Sequence, residues 1–420
     1  MTYCAIDFGT SNSAVAVPNS DELTLAPVEG AFQTLPTAVF FNVDDHSCAF
    51  GRAALAAYTE GFDGRLMRSI KSILGSSLAE GTTDRGDGSA IRYLDVVTTF
   101  IRHLKRRAEH FTHAPIERAV MGRPVFFVDD DPVADARAEH QLAHAARAAG
   151  FDEVLFQYEP IAAALDYESR LDTEQLVMVA DLGGGTSDFS LVRVGPQRRT
   201  HVDRKTDVLA HHGVHVAGTD FDRRVELSAI LPEFGYRTLD MEGRELPNRI
   251  YFDLATWHLI NTVYTPKRTK ELHLMRHLFR DTAHHQRLMR VVHRRLGHAL
   301  AARAEQTKIA LAASATASID LESAEKGLRV EWTAAALIDA ARDETNRIAH
   351  AARETARLAG VAPGDVDAVY FTGGSSGLNF LTAAIKSGFE KAQPVYGDRM
   401  SSVAAGLGIY AKRMLDGVTS

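Results

Sequence analysis

Two well-separated stretches of the chain carry one pattern of apolar and polar positions. Residues 2–17 (Thr-Tyr-Cys-Ala-Ile-Asp-Phe-Gly-Thr-Ser-Asn-Ser-Ala-Val-Ala-Val) run as apolar strand, glycine-containing turn and apolar strand. Residues 176–194 (Leu-Val-Met-Val-Ala-Asp-Leu-Gly-Gly-Gly-Thr-Ser-Asp-Phe-Ser-Leu-Val-Arg-Val) repeat it with two extra glycines. In each, a strand delivers an Asp, then an apolar residue, Gly, Thr-Ser and Asn or Asp before the second strand starts. A hairpin cannot bury its face alone, so the echo predicts two related lobes, each built around one copy.

Elsewhere strand and helix alternate. Residues 35–43 read as strand after Pro36, 51–75 as helix and turn ending at Gly75, and the Gly/Ser/Asp-rich 76–90 as loop. Helical periodicity covers 94–111, and Arg118–Val128 reads as a buried strand interrupted by Pro124. Residues 131–149 read as an Ala-rich helix with Pro132 in its first turn and Gly150 as its stop. Residues 250–313 are almost continuously helical in pattern, and 333–359 form another long helix. Val366–Thr372 is a buried strand running into Gly373-Gly374-Ser375-Ser376-Gly377, and helices at 377–390 and 401–415 finish the chain. The expected class is α/β.

Composition narrows the function. The chain has 420 residues, 45% hydrophobic and 24% charged, which suits a soluble protein with more than one core. A net charge of −7 argues against a nucleic-acid partner, which would need a basic face. Cys4 and Cys48 are the only cysteines, too few for a disulfide framework or a cysteine-ligated cluster, so a reducing cytoplasm is expected. Residues 1–20 lack the basic head of a signal peptide, and no apolar run approaches the ~20 residues that span a bilayer. No membrane partner is expected. His211, His212 and His215 with Asp220 match no metal-ligand spacing and read as surface loop.

The chemistry gathers at three Gly/Thr/Ser clusters, each at the end of an expected strand. Glycine lets the backbone approach a phosphate, and its N–H groups then form an anion nest. No Gly-Lys dipeptide occurs, which excludes a P-loop, and Gly183-Gly184-Gly185 leads into strand rather than the helix of a dinucleotide fingerprint. Asp7 and Asp181 end their strands with a carboxylate each. Two carboxylates beside a polyphosphate would repel it unless a hydrated Mg²⁺ lay between.

At these residues the chain resembles the DnaK-type chaperones of the heat shock protein 70 family, within the actin and sugar-kinase superfold. The resemblance rests on residues 5–13 (Ala-Ile-Asp-Phe-Gly-Thr-Ser-Asn-Ser), 157–164 (Gln-Tyr-Glu-Pro-Ile-Ala-Ala-Ala), 181–188 (Asp-Leu-Gly-Gly-Gly-Thr-Ser-Asp) and 371–376 (Phe-Thr-Gly-Gly-Ser-Ser). It covers the nucleotide-binding half of that family, and the helical block at 250–310 looks most like the YegD-like branch.

The resemblance implies a two-lobed actin-like ATPase fold, a duplicated ribonuclease H-like domain with a subdomain inserted in each lobe. Lobe I would span 1–172 with its insertion at about 36–110, and lobe II 173–396 with a helical insertion at about 224–312. Residues 397–420 would be a C-terminal helix packing back on lobe I. The implied cofactors are ATP and Mg²⁺, with Asp7 and Asp181 holding the water shell of the ion. Gly9, Thr10, Ser11 and Asn12 would wrap the β- and γ-phosphates, with Gly183, Gly184, Gly185 and Thr186 closing over them. Lys71 matches the catalytic lysine, Glu159 the acid that orders the attacking water, and Asp188 the acid beyond the second loop.

Gly218, Glu305, Lys308, Gly373, Gly374 and Ser375 match further nucleotide contacts, Glu305 and Lys308 those to the ribose. Ile309 and Gly377 stand where the family commonly has two arginines that sandwich the base. That loss forfeits roughly 0.5–2 kcal/mol of cation–π energy at each and implies weaker or less base-selective binding. The chain is expected to end after the last lobe helix, without the linker and peptide-binding domain of a full chaperone. Slow ATP hydrolysis in a chaperone-related role is therefore expected, with a protein client or co-chaperone as partner. A nonenzymatic nucleotide-dependent switch and a small-molecule kinase on the same superfold are the alternatives.

Overall fold

The computed structural model describes residues 2–19, 22–128, 131–199, 201, 204–256, 259–398 and 401–416. The first echo is an antiparallel hairpin of β1 (Tyr3–Phe8) and β2 (Asn12–Asn19), with Asp7 opposite Ala14. Along β1, Cys4, Ile6 and Phe8 enter one core while Tyr3 and Ala5 enter another. Side chains alternate across a strand, so burial on both faces produces an unbroken apolar run. Strands β3 (Glu22–Leu25) and β4 (Thr34–Pro36) both pair with β2.

An insertion follows. Strands β5 (Ala38–Asn42), β6 (Cys48–Phe50) and β7 (Gly64–Arg68) make a three-stranded antiparallel sheet against which α1 (Gly51–Thr59) packs. The helix expected through 51–75 therefore stops at Thr59, and Gly64–Arg68 is strand. Pairing with β5 over Ala38–Asn42 outweighs the local helical pattern. Within the expected loop at 76–90, β8 (Thr82–Asp84) pairs with β9 (Ala90–Arg92) around a turn in which Asp84 Oδ1 accepts from the amides of Gly86 and Gly88.

Helix α2 (Tyr93–Thr112) leads to β10 (Arg118–Arg123), which lies parallel to β1 and stops one residue before Pro124. Helix α3 (Pro132–Ala148) has Pro132 at its start, where Asp131 caps it by accepting from the amides of Val133 and Ala134. Strand β11 (Glu153–Tyr158) returns parallel to β10 and runs straight into α4 (Glu159–Glu168). The sheet order is β11-β10-β1-β2-β3.

The second echo repeats this plan. Strands β12 (Gln175–Leu182) and β13 (Ser187–Val194) form the hairpin, with Asp181 opposite Asp188. Strand β14 (Val208–Val214) adds to β13, so His211 and His212 lie in a strand and not in the surface loop expected for them. An unpaired edge on β13 supplies the partner that the histidine-rich sequence does not advertise.

A mostly helical segment comes next. It holds α5 (Gly218–Val225) with a π-turn at Glu226–Ile230, then α6 (Arg249–Leu254), α7 (Pro266–Leu274), α8 (Thr282–His293) and α9 (Gly297–Leu311). The continuous helix expected over 250–313 is thus broken. Short 3₁₀ turns at Ile260–Tyr264 and Met275–Leu278 divide it, Pro266 starts one piece, and residues 257 and 258 of that span lie outside the described residues. A hairpin of β15 (Thr316–Asp320) and β16 (Arg329–Thr333) follows, then α10 (Ala334–Ala340) and α11 (Arg342–Leu358).

The second sheet is completed by β17 (Ala368–Thr372), α12 (Asn379–Lys386) and β18 (Gln393–Tyr396), and α13 (Ser402–Asp416) ends the description. Its order, β14-β13-β12-β17-β18, read from β18 back to β14, repeats the first sheet's sequence of parallel and antiparallel neighbours. Two mixed sheets of equivalent topology with flanking helices make this the two-lobed actin-like α/β fold.

Contacts divide the chain into one unit of Met1–His215, Ala349–Ser376 and Thr382–Ser420 and a second of Val216–Ile348 and Gly377–Leu381. Both sheets belong to the first unit and share a core in which Ala5, Val120, Val177, Val179 and Tyr370 meet α4 and α13. The two helices touch backbone to backbone, since a Cβ on Gly406 would stand 1.8 Å from Ala162 O. Among the described residues no helix is long and apolar enough to cross a membrane.

Candidate functional site

The two hairpin turns meet inside the first unit. In the first, Gly9 has no room for a side chain, because a Cβ would lie 2.2 Å from Asn12 O. Thr10, Ser11 and Asn12 keep part of their surface open. The turn is pinned from below by Thr37, a residue the sequence reading did not single out. Its Oγ1 donates to Gly9 O at 2.7 Å, its amide donates to Ser11 O at 2.8 Å, and its hydroxyl lies 2.9 Å from Ser13 Oγ. The available signal was a hydroxyl residue inside the otherwise apolar run Leu35–Phe41; in the structure it is 2% exposed.

In the second turn the amide of Gly183 donates to Thr186 O at 3.0 Å, and Thr186 Oγ1 donates to Asp188 Oδ2 at 2.7 Å. Gly184 faces the first hairpin: a Cβ there would stand 2.2 Å from Ser11 Oγ. The loop after β17 supports this turn. Ser375 Oγ donates to Gly183 O at 2.8 Å, and Gly374 opens the 3₁₀ turn Gly374–Gly377. Gly373 adopts φ +81° with a would-be Cβ 2.5 Å from Leu182 O and 2.6 Å from Asp181 Oδ1, which only glycine tolerates.

The charges converge between the turns. Lys71 sits on the 3₁₀ turn Ile70–Ile73, is buried, and its Nζ donates to Glu159 Oε1 at 2.6 Å. Glu159 is the first residue of α4, where a carboxylate is favoured by the helix dipole. Gly122 makes room for it, since a Cβ there would come within 3.0 Å of Glu159 Cγ. Burial pushes Asp7 up to about 8, reinforced by Glu159 and Asp181 and opposed by Lys71. Burial likewise pushes Asp181 up to about 7, with Asp188 and Glu159 adding to it and Lys71 opposing. Burial works against the Lys71 ammonium, but Glu159, Asp7 and Asp181 more than reverse this and hold it above its ordinary value.

Three carboxyls (Asp7, Glu159, Asp181) therefore share one ammonium, and a divalent cation would favour the ionised form of the two that burial holds protonated. Among the described residues no group of three or more His, Cys, Asp or Glu is placed to hold a metal directly. The donor set fits an ion that keeps its waters, as Mg²⁺ does.

Asp7, Lys71, Glu159, Asp181, Thr186 and Asp188 and the glycines of both turns are thus drawn together, with Gly373, Gly374 and Ser375 behind them. Gly218, Glu305 and Lys308 belong to the second unit. There Lys308 Nζ lies 2.7 Å from Asp222 Oδ1 and donates to Gly218 O at 3.1 Å, while Glu305 is exposed. Ile309, next along α9, is 60% exposed. Thr37 and Gly122 escaped the sequence reading, and His211, which borders Asp188, was expected there only as surface loop, because each acts on a residue distant in sequence.

Comparison with known proteins gives one consistent relation. Residues 3–242 match the family described as Hsp70 protein. Chaperone protein DnaK of Thermosipho melanesiensis is 32% identical over 225 residues, a stretch covering 52% of this chain and 34% of that protein. The chain thus aligns with about a third of the length of that relative.

Proposed function

The chain belongs to the Hsp70 family, and from that premise we propose that it binds ATP with Mg²⁺ and hydrolyses it at the paired hairpins. The observation that carries this reading is the Lys71–Glu159 pair, 2.6 Å long with Lys71 buried, in one electrostatic cluster with Asp7 and Asp181. Phosphoryl transfer needs positioning and charge neutralisation more than covalent help, and these groups are suited to both.

Backbone amides and hydroxyls of Gly9, Thr10, Ser11, Asn12, Gly183, Gly184, Gly185 and Thr186 would cradle the phosphates. Asp7 and Asp181 would hold the divalent ion through its waters, and the ion when bound supplies charge neutralisation to the phosphates. Lys71, held protonated by its three acidic neighbours, would lie beside the γ-phosphate. Glu159 would orient the attacking water, and Asp188, bonded to Thr186, would fix the far side of the turn.

Gly218, Glu305, Lys308, Gly373, Gly374 and Ser375 are proposed as the remaining nucleotide contacts by resemblance. Ile309 and Gly377 in place of stacking arginines would leave base selectivity looser. A chaperone-related role with a protein client or co-chaperone, a cytoplasmic location, a place in the YegD-like branch, and lobes divided near residues 172 and 396 complete the proposal.

The test is phosphate release from Mg-ATP in single turnover. Lys71→Ala and Asp181→Asn should each lose about 10²-fold in rate, the scale on which removal of one transition-state charge contact acts. A wild-type rate that Lys71→Ala leaves unchanged would remove Lys71 from the chemistry, and ATP binding with no phosphate release above the protein-free rate would favour the nonenzymatic switch.

A further inference from the structure

Behind Asp188 stands a histidine that the phosphate cluster does not use. The side chain of His211, on β14, is only 6% exposed. Register places His211 opposite Ser190 and Gly213 opposite Asp188, so these four positions share one face of the β13–β14 pair. Ser190 Oγ lies 3.0 Å from His211 Nδ1, and His211 Nε2 lies 3.8 Å from Asp188 Oδ1. The edge of the ring meets Phe126 at a centroid distance of 5.9 Å.

Gly213 completes the arrangement. A Cβ at that position would stand 2.4 Å from Asp188 Oδ1 and 3.9 Å from His211 Nε2. Only a residue without a side chain lets the Asp188 carboxylate lie across β14 towards the ring. The other carboxylate oxygen, Oδ2, accepts from Thr186 Oγ1 at 2.7 Å. The two oxygens of one carboxylate are thus addressed from opposite sides, by the hairpin on one and by the histidine on the other.

At 3.8 Å the His211–Asp188 contact is electrostatic and longer than a hydrogen bond. A carboxylate only accepts, so its charge favours the proton on the nitrogen that faces it, which leaves Nδ1 to accept from the Ser190 hydroxyl. The trio is not a nucleophilic triad. Ser190 is 2% exposed, and it is bonded to the ring nitrogen that faces away from Asp188.

We propose that His211 is a positioning residue for the second phosphate turn: through Nε2–H it sets the orientation of Asp188, and through Asp188 that of the Thr186 hydroxyl. The inference rests on the reading of this turn as an ATP phosphate site, and it adds a residue that the family motifs quoted above do not contain. Neighbours that orient the groups in direct contact with a ligand or metal are worth about 10- to 100-fold in affinity or activity.

Two measurements test it. In the ligand-free protein, long-range ¹⁵N–¹H spectra of the histidine rings should show His211 as the Nε2–H tautomer, with its ring shifts displaced by Asp188→Asn. An Nδ1–H ring, or one indifferent to Asp188→Asn, overturns the proposal. In single turnover with Mg-ATP, His211→Leu should lower the hydrolysis rate about 10-fold while ATP affinity stays within about 2-fold. His211→Gln, whose amide both donates and accepts, should recover most of the rate.

An unchanged rate in His211→Leu overturns the positioning role. So does a joint fall of affinity, rate and melting temperature that His211→Gln fails to rescue. If wild-type protein shows no Asp181-dependent hydrolysis, the ATPase reading itself fails, and the ring spectra still decide the His211–Asp188 link.

Discussion

Asp7 and Asp181 hold protons to about 8 and about 7, against an ordinary value of 3.8, chiefly because burial disfavours their charge. An acid raised on folding binds more protons in the folded than in the unfolded chain between those values. Stability then falls as pH rises through that window. The ligand-free protein should accordingly melt at progressively lower temperature from about pH 5 to about pH 8.5, and Asp7→Asn should flatten that slope. A melting temperature that climbs over this range in the wild type, or an Asp7→Asn slope equal to it, would contradict the assignment. At this scale Asp7 and Asp181 were legible in sequence because each sits beside its own glycine turn. Lys71 and Glu159 became legible only through the family resemblance, since their partnership spans 88 positions and neither residue is unusual locally.

Among the elements, the hairpins were the most legible. A turn that must present backbone to a phosphate needs glycine at the tip and small hydroxyl residues beside it, and all of that is local in sequence. Strand β14 was not legible, because His211-His212-Gly213 has no strand pattern of its own and is held by the edge of β13. The break after Thr59 and the hairpin β8–β9 were missed for the same reason: pairing across a sheet is non-local, and it outweighs propensity. The loop after β17 gives the prediction for this scale. Gly373→Ala forces a side chain into φ +81° and against both Leu182 O and Asp181 Oδ1. It should destabilise the protein by more than about 1 kcal/mol in urea unfolding and should weaken Mg-ATP binding at the same time. Retention of wild-type stability would mean that the loop relaxes away from β12.

For the whole molecule the testable quantity is linkage. A ligand that binds only the folded chain stabilises it by about 2.7 kcal/mol at a free concentration of about a hundred times its Kd. Mg-ATP should therefore raise the melting temperature, Mg²⁺ alone should do so less, and chelation with EDTA should remove most of the nucleotide's effect. Equal stabilisation by ATP with and without the metal would argue against the role given to Asp7 and Asp181.

The amino-acid sequence by itself determined the fold class, the duplicated hairpin and the chemistry of the turns. Those rest on periodicity, glycine and short-range spacing, which act within a few residues of one another. Only the tertiary structure decided that Gly184 meets Ser11, that Thr37 pins the first turn, that Gly122 makes room for Glu159, and that His211 faces Asp188. Each of those contacts depends on strand register, or on packing between segments far apart in the chain, and burial then sets the protonation of the carboxylates. The candidate phosphate site can be read in sequence as two separate turns, and it becomes one electrostatic cluster only when the sheets bring them together.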